Sequence, residues 1–561
     1  MMPLVAHANS SLGSRSLGRG LLTAALLVAM LVGSRGITDE GSVILGADMA
    51  RYLMSGVFLY DLLGSGAGWT FGSAMTYAEH YFVQYPALSI PHHPPLLPIS
   101  LVPFYGMFGV TVFAARLAIL AYFVLSILLL YTLVERVYDE EVAGWACLLF
   151  ASSPIVAWFA QRVLSEIPTI AMVLAALNAL VRFCDSGKFR YYLLFGVFAI
   201  GSLASRQLAV FMWPAYVALL VTRGGRSRLA RWDVITTTLS SALLVVAIAI
   251  ATWLSSPFNV AVVLDVLSQD LSVLSRVELL GPIARAQLGP ALGFVMAAGL
   301  LMAVLRRDRR VTVGVFWMLS VLACVLLITG PIEPVRYSIL AVPAYCVCGA
   351  SLVRAARSTA VRGLVFAVLA VAVMWQLWSG RATHPGSDGR AYEEAARFVL
   401  ADTDGPSAPT VLYSASIDTG AFVFFVRKHD PERRLVVLRA DKLLTTSLMG
   451  QVSVEDRIGS ADEIYPLLDR YGTKFIVIED RPSGSIVLDW LRTELKGDRF
   501  IERRRVAGDQ SRASLRRPSL VVYEYEGARP ADPDAEIDMR LPLIGRDLRV
   551  RLSDLRPSVD P

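Results

Sequence analysis

The pattern of apolar and polar positions changes character once along the chain. Up to about residue 380 long apolar runs recur between short polar stretches, and beyond it apolar residues come in brief clusters on a mixed background. The first regime predicts eleven membrane spans, at 20–36, 112–134, 142–159, 167–183, 190–205, 207–222, 234–254, 290–305, 311–329, 337–353 and 363–380. Several are shorter than the roughly 20 residues a helix needs to cross hydrocarbon, so 190–222 reads as two short helices or a re-entrant pair. The first run also has the length of a signal-peptide core, with cleavage near Gly33. The second regime predicts helices at 392–400, 461–471 and 486–495 and strands at 411–413, 435–438, 474–478 and 520–525, a small α/β layer. The expected fold is an α-helical polytopic membrane domain, 1–380, followed by an α/β domain, 381–527. The Pro-, Asp- and Arg-rich end, 528–561, is expected to be a flexible tail.

Composition supports this division. The 561 residues are 55% hydrophobic and only 18% charged, below the roughly 25% of soluble domains. A net charge of +6, from 53 basic and 47 acidic residues, is too mild to argue for nucleic acid. Where the basic residues fall says more. They cluster at 182–190, 223–231, 306–310 and 354–362, and cytoplasmic loops collect Lys and Arg. Eleven crossings from a cytoplasmic N-terminus put all four clusters inside and the C-terminal domain outside, in a cell membrane. All five cysteines lie in the membrane half, which excludes a disulfide framework in the exported domain; none has zinc spacing with histidines. They read as packing residues.

That topology collects chemistry on one face. The first outer loop, about 34–110, carries the adjacent acids Asp39 and Glu40, then Asp48, Arg51, Glu79, His80, His92 and His93. Later outer turns carry Gln161, Arg162, Ser165 and Glu166, then Arg206, then Glu333 and Arg336. Ionisable groups at membrane depth are costly and are usually functional or paired. A loop this long is expected to hold interfacial helices (46–63 is amphipathic), with Trp69, Tyr77, Tyr81, Phe82 and Tyr85 at headgroup level. Each residue also has a plain alternative. Asp39 and Glu40 suit a helix N-terminus, His92 and His93 a solvated turn, Glu166 a helix start, and Glu333 and Arg336 a simple pair. Their joint placement on one face favours a site.

The acidic pair after the first helix, Pro94-Pro95-Leu96 ahead of Phe104-Tyr105-Gly106, and Ala115-Arg116-Leu117 opening the next helix resemble the GT-C membrane glycosyltransferases. The bacterial protein-mannosyltransferase and aminoarabinose-transferase type is the nearest in pattern. Ser153-Pro154 followed by Ser165-Glu166-Ile167-Pro168 looks like that family's second outer loop, and Glu333-Pro334-Val335-Arg336-Tyr337 like its late loop. The resemblance spans about residues 20–355. It implies an inverting transfer of a sugar from a polyprenyl-phosphate donor to an acceptor hydroxyl of a lipid, glycan or protein, on the extracytoplasmic face. By that analogy Asp39 is the base, Glu40 positions the acceptor or a neighbour, and Glu166 supports the site or a divalent metal. The metal requirement stays open. In several relatives a basic residue before the proline pair meets the donor phosphate. His93 holds that position here, with His92, Arg336, Arg206, Arg162 and Tyr85 as further substrate-binding candidates. A neutral imidazole is a weaker phosphate partner than Lys, so Arg336 or Arg206 is expected to supply the permanent charge.

The chemistry stands without the family. A lipid phosphate leaves readily when its growing charge meets Arg or protonated His, and one carboxylate is enough to deprotonate an acceptor for one inversion. No phosphate-binding Gly loop of the Walker or Rossmann kind occurs in the chain. The competing classes are a lipid-linked sugar transporter, which calls for internal repeats with broken midplane helices, and a non-catalytic assembly subunit. In the exported domain Asp418, Glu479 and Asp480 sit at strand ends without forming a catalytic constellation. That domain reads as a cover or acceptor-binding module.

Overall fold

The structure, a computed structural model, describes residues 3–40, 47–66, 70–89, 93–224, 230–255, 273–329, 333–356, 358–381, 389–402, 410–415, 420–449, 452–481, 485–508, 519–532, 534–541 and 546–555. The first helix, α1 (Pro3–Gly33), leads to the outer-loop helices α2 (Ala47–Gly64), α3 (Phe71–Gln84) and α4 (Leu96–Phe108). Then come α5 (Val112–Val137), α6 (Glu140–Ser152), α7 (Pro154–Ala160), α8 (Glu166–Ser186), α9 (Phe189–Ser205), α10 (Trp213–Leu219) and α11 (Trp232–Ser255). The membrane half closes with α12 (Val273–Glu278), α13 (Leu280–Gln287), α14 (Gly289–Leu305), α15 (Thr312–Cys324), α16 (Pro334–Tyr337), α17 (Val342–Ala350) and α18 (Thr359–Gly380).

Each of the eleven expected spans coincides with helix, but among the described residues six stretches are long and apolar enough to cross a membrane alone: Ser16–Gly33, Val112–Val137, Glu166–Ser186, Arg309–Leu327, Pro334–Ala355 and Thr359–Gly380. Counting two bent pairs as one span each brings the number to eight. One pair breaks by 65° at Ser153, ahead of Pro154, and the other by 107° at Leu288, ahead of Gly289 with φ +58. The helical half is thus that of a multi-pass membrane protein. Its helices approach closely through small residues, as bilayer helices do. A β-carbon on Gly144 of α6 would stand 2.6 Å from the Leu21 Cβ of α1.

The C-terminal domain contains α19 (Arg390–Ala401), α20 (Ala421–His429), α21 (Ala440–Leu443), α22 (Ile464–Tyr471) and α23 (Ile486–Glu494) around a five-stranded sheet. The sheet order is β2 (Val436–Arg439), β1 (Thr410–Ser414), β5 (Thr473–Glu479), β7 (Leu520–Tyr525), β6 (Phe500–Val506). β1 runs parallel to β2 and β5, while β7 is antiparallel to β5 and β6. A separate hairpin pairs β3 (Thr445–Met449) with β4 (Val452–Asp456). β6 was absent from the predicted strands because its centre is Glu502-Arg503-Arg504-Arg505. It is the sheet edge, where charge discourages pairing with other chains. The segment expected to be a flexible tail is a correction: it holds the antiparallel pair β8 (Glu536–Leu541) and β9 (Arg546–Arg551). Alternation prevailed over composition there, since Ile537, Met539, Leu548 and Val550 are all buried on one core.

This domain sits on the long loop between α1 and α5. Arg427 of α20 forms a two-point pair with Asp61 of α2, Nη2 to Oδ1 at 2.6 Å and Nε to Oδ2 at 2.9 Å, both side chains over nine-tenths buried. Gln84 donates to the Arg433 carbonyl at 2.6 Å, and Arg439 to the Pro86 carbonyl at 2.8 Å. Tyr81 and Tyr85, expected at the membrane interface, are instead buried in this junction, with the Arg433 guanidinium 4.8 Å from the Tyr81 ring. Trp69 lies outside the described residues.

Candidate active site

Two charged clusters form on the outer-loop side. The first gathers on α2, whose opening turn places Asp48, Arg51 and Tyr52 on one face by the helical i, i+3, i+4 rule. The Tyr52 ring stacks on His93 at 4.7 Å and 18°, and its hydroxyl donates to Ser165 Oγ at 3.0 Å. His93 Nδ1 lies 2.9 Å from Ser89 Oγ, and Nε2 lies 3.6 Å from Asp48 Oδ1. Ser165 precedes α8, so it delivers the contact to Glu166, the fully buried first residue of that helix. Glu166 Oε1 accepts from both Arg206 Nη1 and Arg336 Nε. Arg336 Nη1 also donates to Asp48 Oδ2 at 2.7 Å and to Glu333 Oε2 at 3.1 Å. Glu333 carries a left-handed φ of +40, a strained conformation for a residue with a β-carbon. Behind this segment Gln287, at the bend before α14, donates to the Val335 carbonyl at 2.8 Å and Ser338 Oγ at 2.7 Å.

The electrostatics follow from the pairing. Burial alone would raise the Asp48 carboxyl, but His93, Arg336 and Arg51 outweigh it and hold it down at about 2. Burial pushes the Tyr52 hydroxyl up to about 12 against the pull of Arg206, so it remains a hydrogen-bond donor. Two guanidiniums are held side by side because they share one carboxylate oxygen. Among the described residues the Arg336 Nη2 and the Arg206 Nε and Nη2 donate to nothing, and Glu166 Oε2 accepts nothing. The arrangement offers a fork of spare N–H groups, the geometry that suits phosphate oxygens.

The second cluster surrounds the acidic pair. Arg116, buried on α5, donates through Nη1 to the Gly36 carbonyl at 2.6 Å and the Asp39 carbonyl at 3.1 Å, fixing the turn that presents Asp39. Glu40 accepts the Val112 and Phe113 backbone N–H groups, each at 2.9 Å, so it caps the N-terminus of α5 with both oxygens. Lys428 Nζ stands 3.0 Å from Glu40 Oε2, and Arg390 Nη2 lies 3.5 Å from Asp39 Oδ1. Both cations come from the C-terminal domain.

Of the sequence candidates, His93, Glu166, Arg206 and Arg336 meet in the first cluster, and Asp39 and Glu40 lie in the second. Arg162 does not join them. It is buried against Trp158, 3.9 Å from the ring, and donates to the Trp158 carbonyl at 2.7 Å. Tyr85 lies in the domain junction, and His92 and Asp418 fall outside the described residues. Asp48, noted only as an outer-loop acid, proves a direct partner of Arg336, and Lys428 and Arg390 were not foreseen. The basic run 427–429 ending a helix was the one available signal for Lys428. Among the described residues no three His, Cys, Asp or Glu side chains group as metal ligands. Asp48, Glu166 and Glu333 each face Arg336, so this carboxylate set fits a guanidinium and not a divalent ion.

A helical membrane domain with charge gathered beneath a C-terminal α/β domain is the architecture of the GT-C membrane glycosyltransferases, which this chain resembles. Residues 92–255 match the family model described as dolichyl-phosphate-mannose-protein mannosyltransferase. In fold the chain is similar to ArnT from Cupriavidus metallidurans bound to undecaprenyl phosphate, with a TM-score of 0.55 and 14% identity over 92% of this chain and 99% of that one. The apo form of the same protein gives 0.54 at 14% identity, covering 91% and 98%. The Archaeoglobus fulgidus oligosaccharyltransferase in complex with Zn and sulfate gives 0.51 at 14% identity, covering 82% and 68%. No curated protein sequence matches the chain.

Proposed function

We propose that the chain is a glycosyltransferase that moves a hexosyl or pentosyl unit from a polyprenyl-phosphate donor to an acceptor hydroxyl, with inversion, on the extracytoplasmic face. The observation that carries this reading is the pair Arg206 and Arg336 held on one oxygen of Glu166, with donor groups to spare beside His93. A similar fold has been solved with undecaprenyl phosphate bound, which supports the donor class. In the reaction the bond between the anomeric carbon and the phosphate oxygen breaks, and the guanidiniums and His93 meet the charge left on the phosphate. The acceptor oxygen forms the new bond from the opposite face, and Asp39 takes its proton. Glu40 acts through its grip on α5, fixing the backbone that carries Asp39. Eleven crossings, three of them through α9, α10 and α11, would set this machinery and the C-terminal domain outside.

The test is the purified full chain supplied with a panel of radiolabelled polyprenyl-phosphate sugars. At least one donor should be consumed, by transfer or by slow hydrolysis, and Arg336→Ala should slow it through weaker donor binding. No turnover of any donor, together with no binding of polyprenyl phosphate, would overturn the reading.

A further inference from the structure

Helix α20 ends in Arg427-Lys428-His429, a basic last turn that complements the negative end of its dipole. A run of this kind at a helix end is ordinarily solvated. Here each member is aimed at an acid. Arg427 pairs with Asp61, and His429 Nε2 lies 2.8 Å from Glu393 Oε1. Lys428, its side chain only 10% exposed, stands 3.0 Å from Glu40 Oε2 and 3.0 Å from Glu393 Oε1. Arg390, from α19, reaches Asp39 at 3.5 Å. Both members of the acidic pair are therefore met by cations from the exported domain, across as many as 388 residues of sequence.

The contact on Glu40 matters because that carboxylate has two duties. It caps α5 through Val112 and Phe113, and it adjoins Asp39 in the chain. Without the Lys428 ammonium, Glu40 and Glu393 would share a half-buried space with their common cation gone. Glu393 keeps its contacts with His429 at 2.8 Å and Arg397 at 3.0 Å when Lys428 is removed, and both favour its ionised form. Like-charge repulsion is then relieved by Glu40 leaving the α5 terminus, and Asp39 moves with it. We propose that Lys428 is a positioning residue through which the exported domain sets the Asp39-Glu40 turn, so that the site is incomplete without that domain. The kinetic arm of this inference rests on the proposed sugar transfer, and the structural arm does not.

The experiment compares the full chain with Lys428→Met, Lys428→Arg, Glu40→Gln and the double variant K428M/E40Q. Turnover on the best polyprenyl-phosphate sugar should fall about tenfold in K428M, the scale of one contact-pair coupling. The donor KM should stay within about twofold and K428R should recover most of the rate. The double variant should be no slower than K428M, because both changes break one contact. Hydrogen exchange of the Val112 and Phe113 amides should quicken in K428M and return to normal in K428R. Unchanged turnover and unchanged exchange in K428M would overturn the proposal, as would a multiplicative loss in the double variant. Where K428M does not fold, Lys428→Gln carries the same test with a milder loss. If the native chain turns over no donor while K428M still exposes the α5 amides, the coupling stands and the sugar-transfer reading falls.

Discussion

Replacing Arg336 separates a phosphate ligand from a structural clamp. Arg336 commits Nε to Glu166 and Nη1 to Asp48 and Glu333, which leaves Nη2 to meet a donor phosphate. A hydrogen bond to a charged group contributes about 1.5–3 kcal/mol, so Arg336→Ala should weaken donor binding by about 10- to 140-fold. Arg336→Lys keeps the charge but not the planar fork that touches acid and phosphate at once, and should fall between. Stability complicates the comparison, because Arg336→Ala leaves the buried Glu166 with Arg206 as its remaining partner. Breaking a buried pair costs about 3–5 kcal/mol, an upper bound here since Arg206 stays. The assay is therefore the stabilisation that polyprenyl phosphate adds to each variant's own thermal unfolding. With ligand at about one hundred times the native Kd, the native chain gains about 2.7 kcal/mol. A variant binding about a hundredfold more weakly gains only about 0.4 kcal/mol at that concentration. Full ligand stabilisation in both variants would refute the reasoning and leave Arg336 as a tie between Asp48, Glu166 and Glu333.

Asp39→Asn should lose about 10²–10⁴-fold in turnover while donor binding persists, the range for loss of a general base. A normal rate in Asp39→Asn with none in Glu166→Gln would move the base to α8. For topology, a cysteine at the exposed Asp498 should react with an impermeant thiol reagent from outside, and one at the exposed Arg310 should not. Equal labelling of both from one side would defeat the eleven-crossing arrangement. In the C-terminal domain, burial and then Arg439 and Arg51 push Lys442 down from 10.5 to about 8, against Asp441. The unfolded chain keeps that proton to higher pH, so stability should rise between about pH 8 and 10. Lys442→Met should remove that rise and raise Tm at pH 7, and identical pH dependence in both proteins would count against the burial argument.

The elements that sequence made legible were those with a strong local period. α2 lies where 46–63 was amphipathic, and four strands of the five-stranded sheet lie where short apolar runs stood. His93, Glu166, Arg206 and Arg336 were expected on one face because each lies at the end of an apolar run, and the structure brings the four side chains into one cluster. What escaped notice depended on contacts between segments far apart in the chain. Lys428 meets Glu40 across most of the chain, and Glu40's hydrogen bonds to α5 show only when the loop folds back on that helix. Composition misled twice, at the charged edge strand β6 and at the β8–β9 hairpin, where alternating Ile537, Met539, Leu548 and Val550 were hidden among Pro, Asp and Arg. The aromatic residues of the outer loop were read as lipid anchors because pattern alone does not distinguish a membrane interface from a protein one.

The bend at Gly289 has a mechanical consequence. α13 turns away from α14 by 107°, and its last residue, Gln287, is fastened by two hydrogen bonds to the segment that bears Arg336. The side chains of Ala284, Arg285 and Ala286 on this short helix are exposed, whereas Ile283 and Gln287 are buried. The two hydrogen bonds tie the direction of this short helix to Val335 and Ser338, which flank Arg336 in the chain.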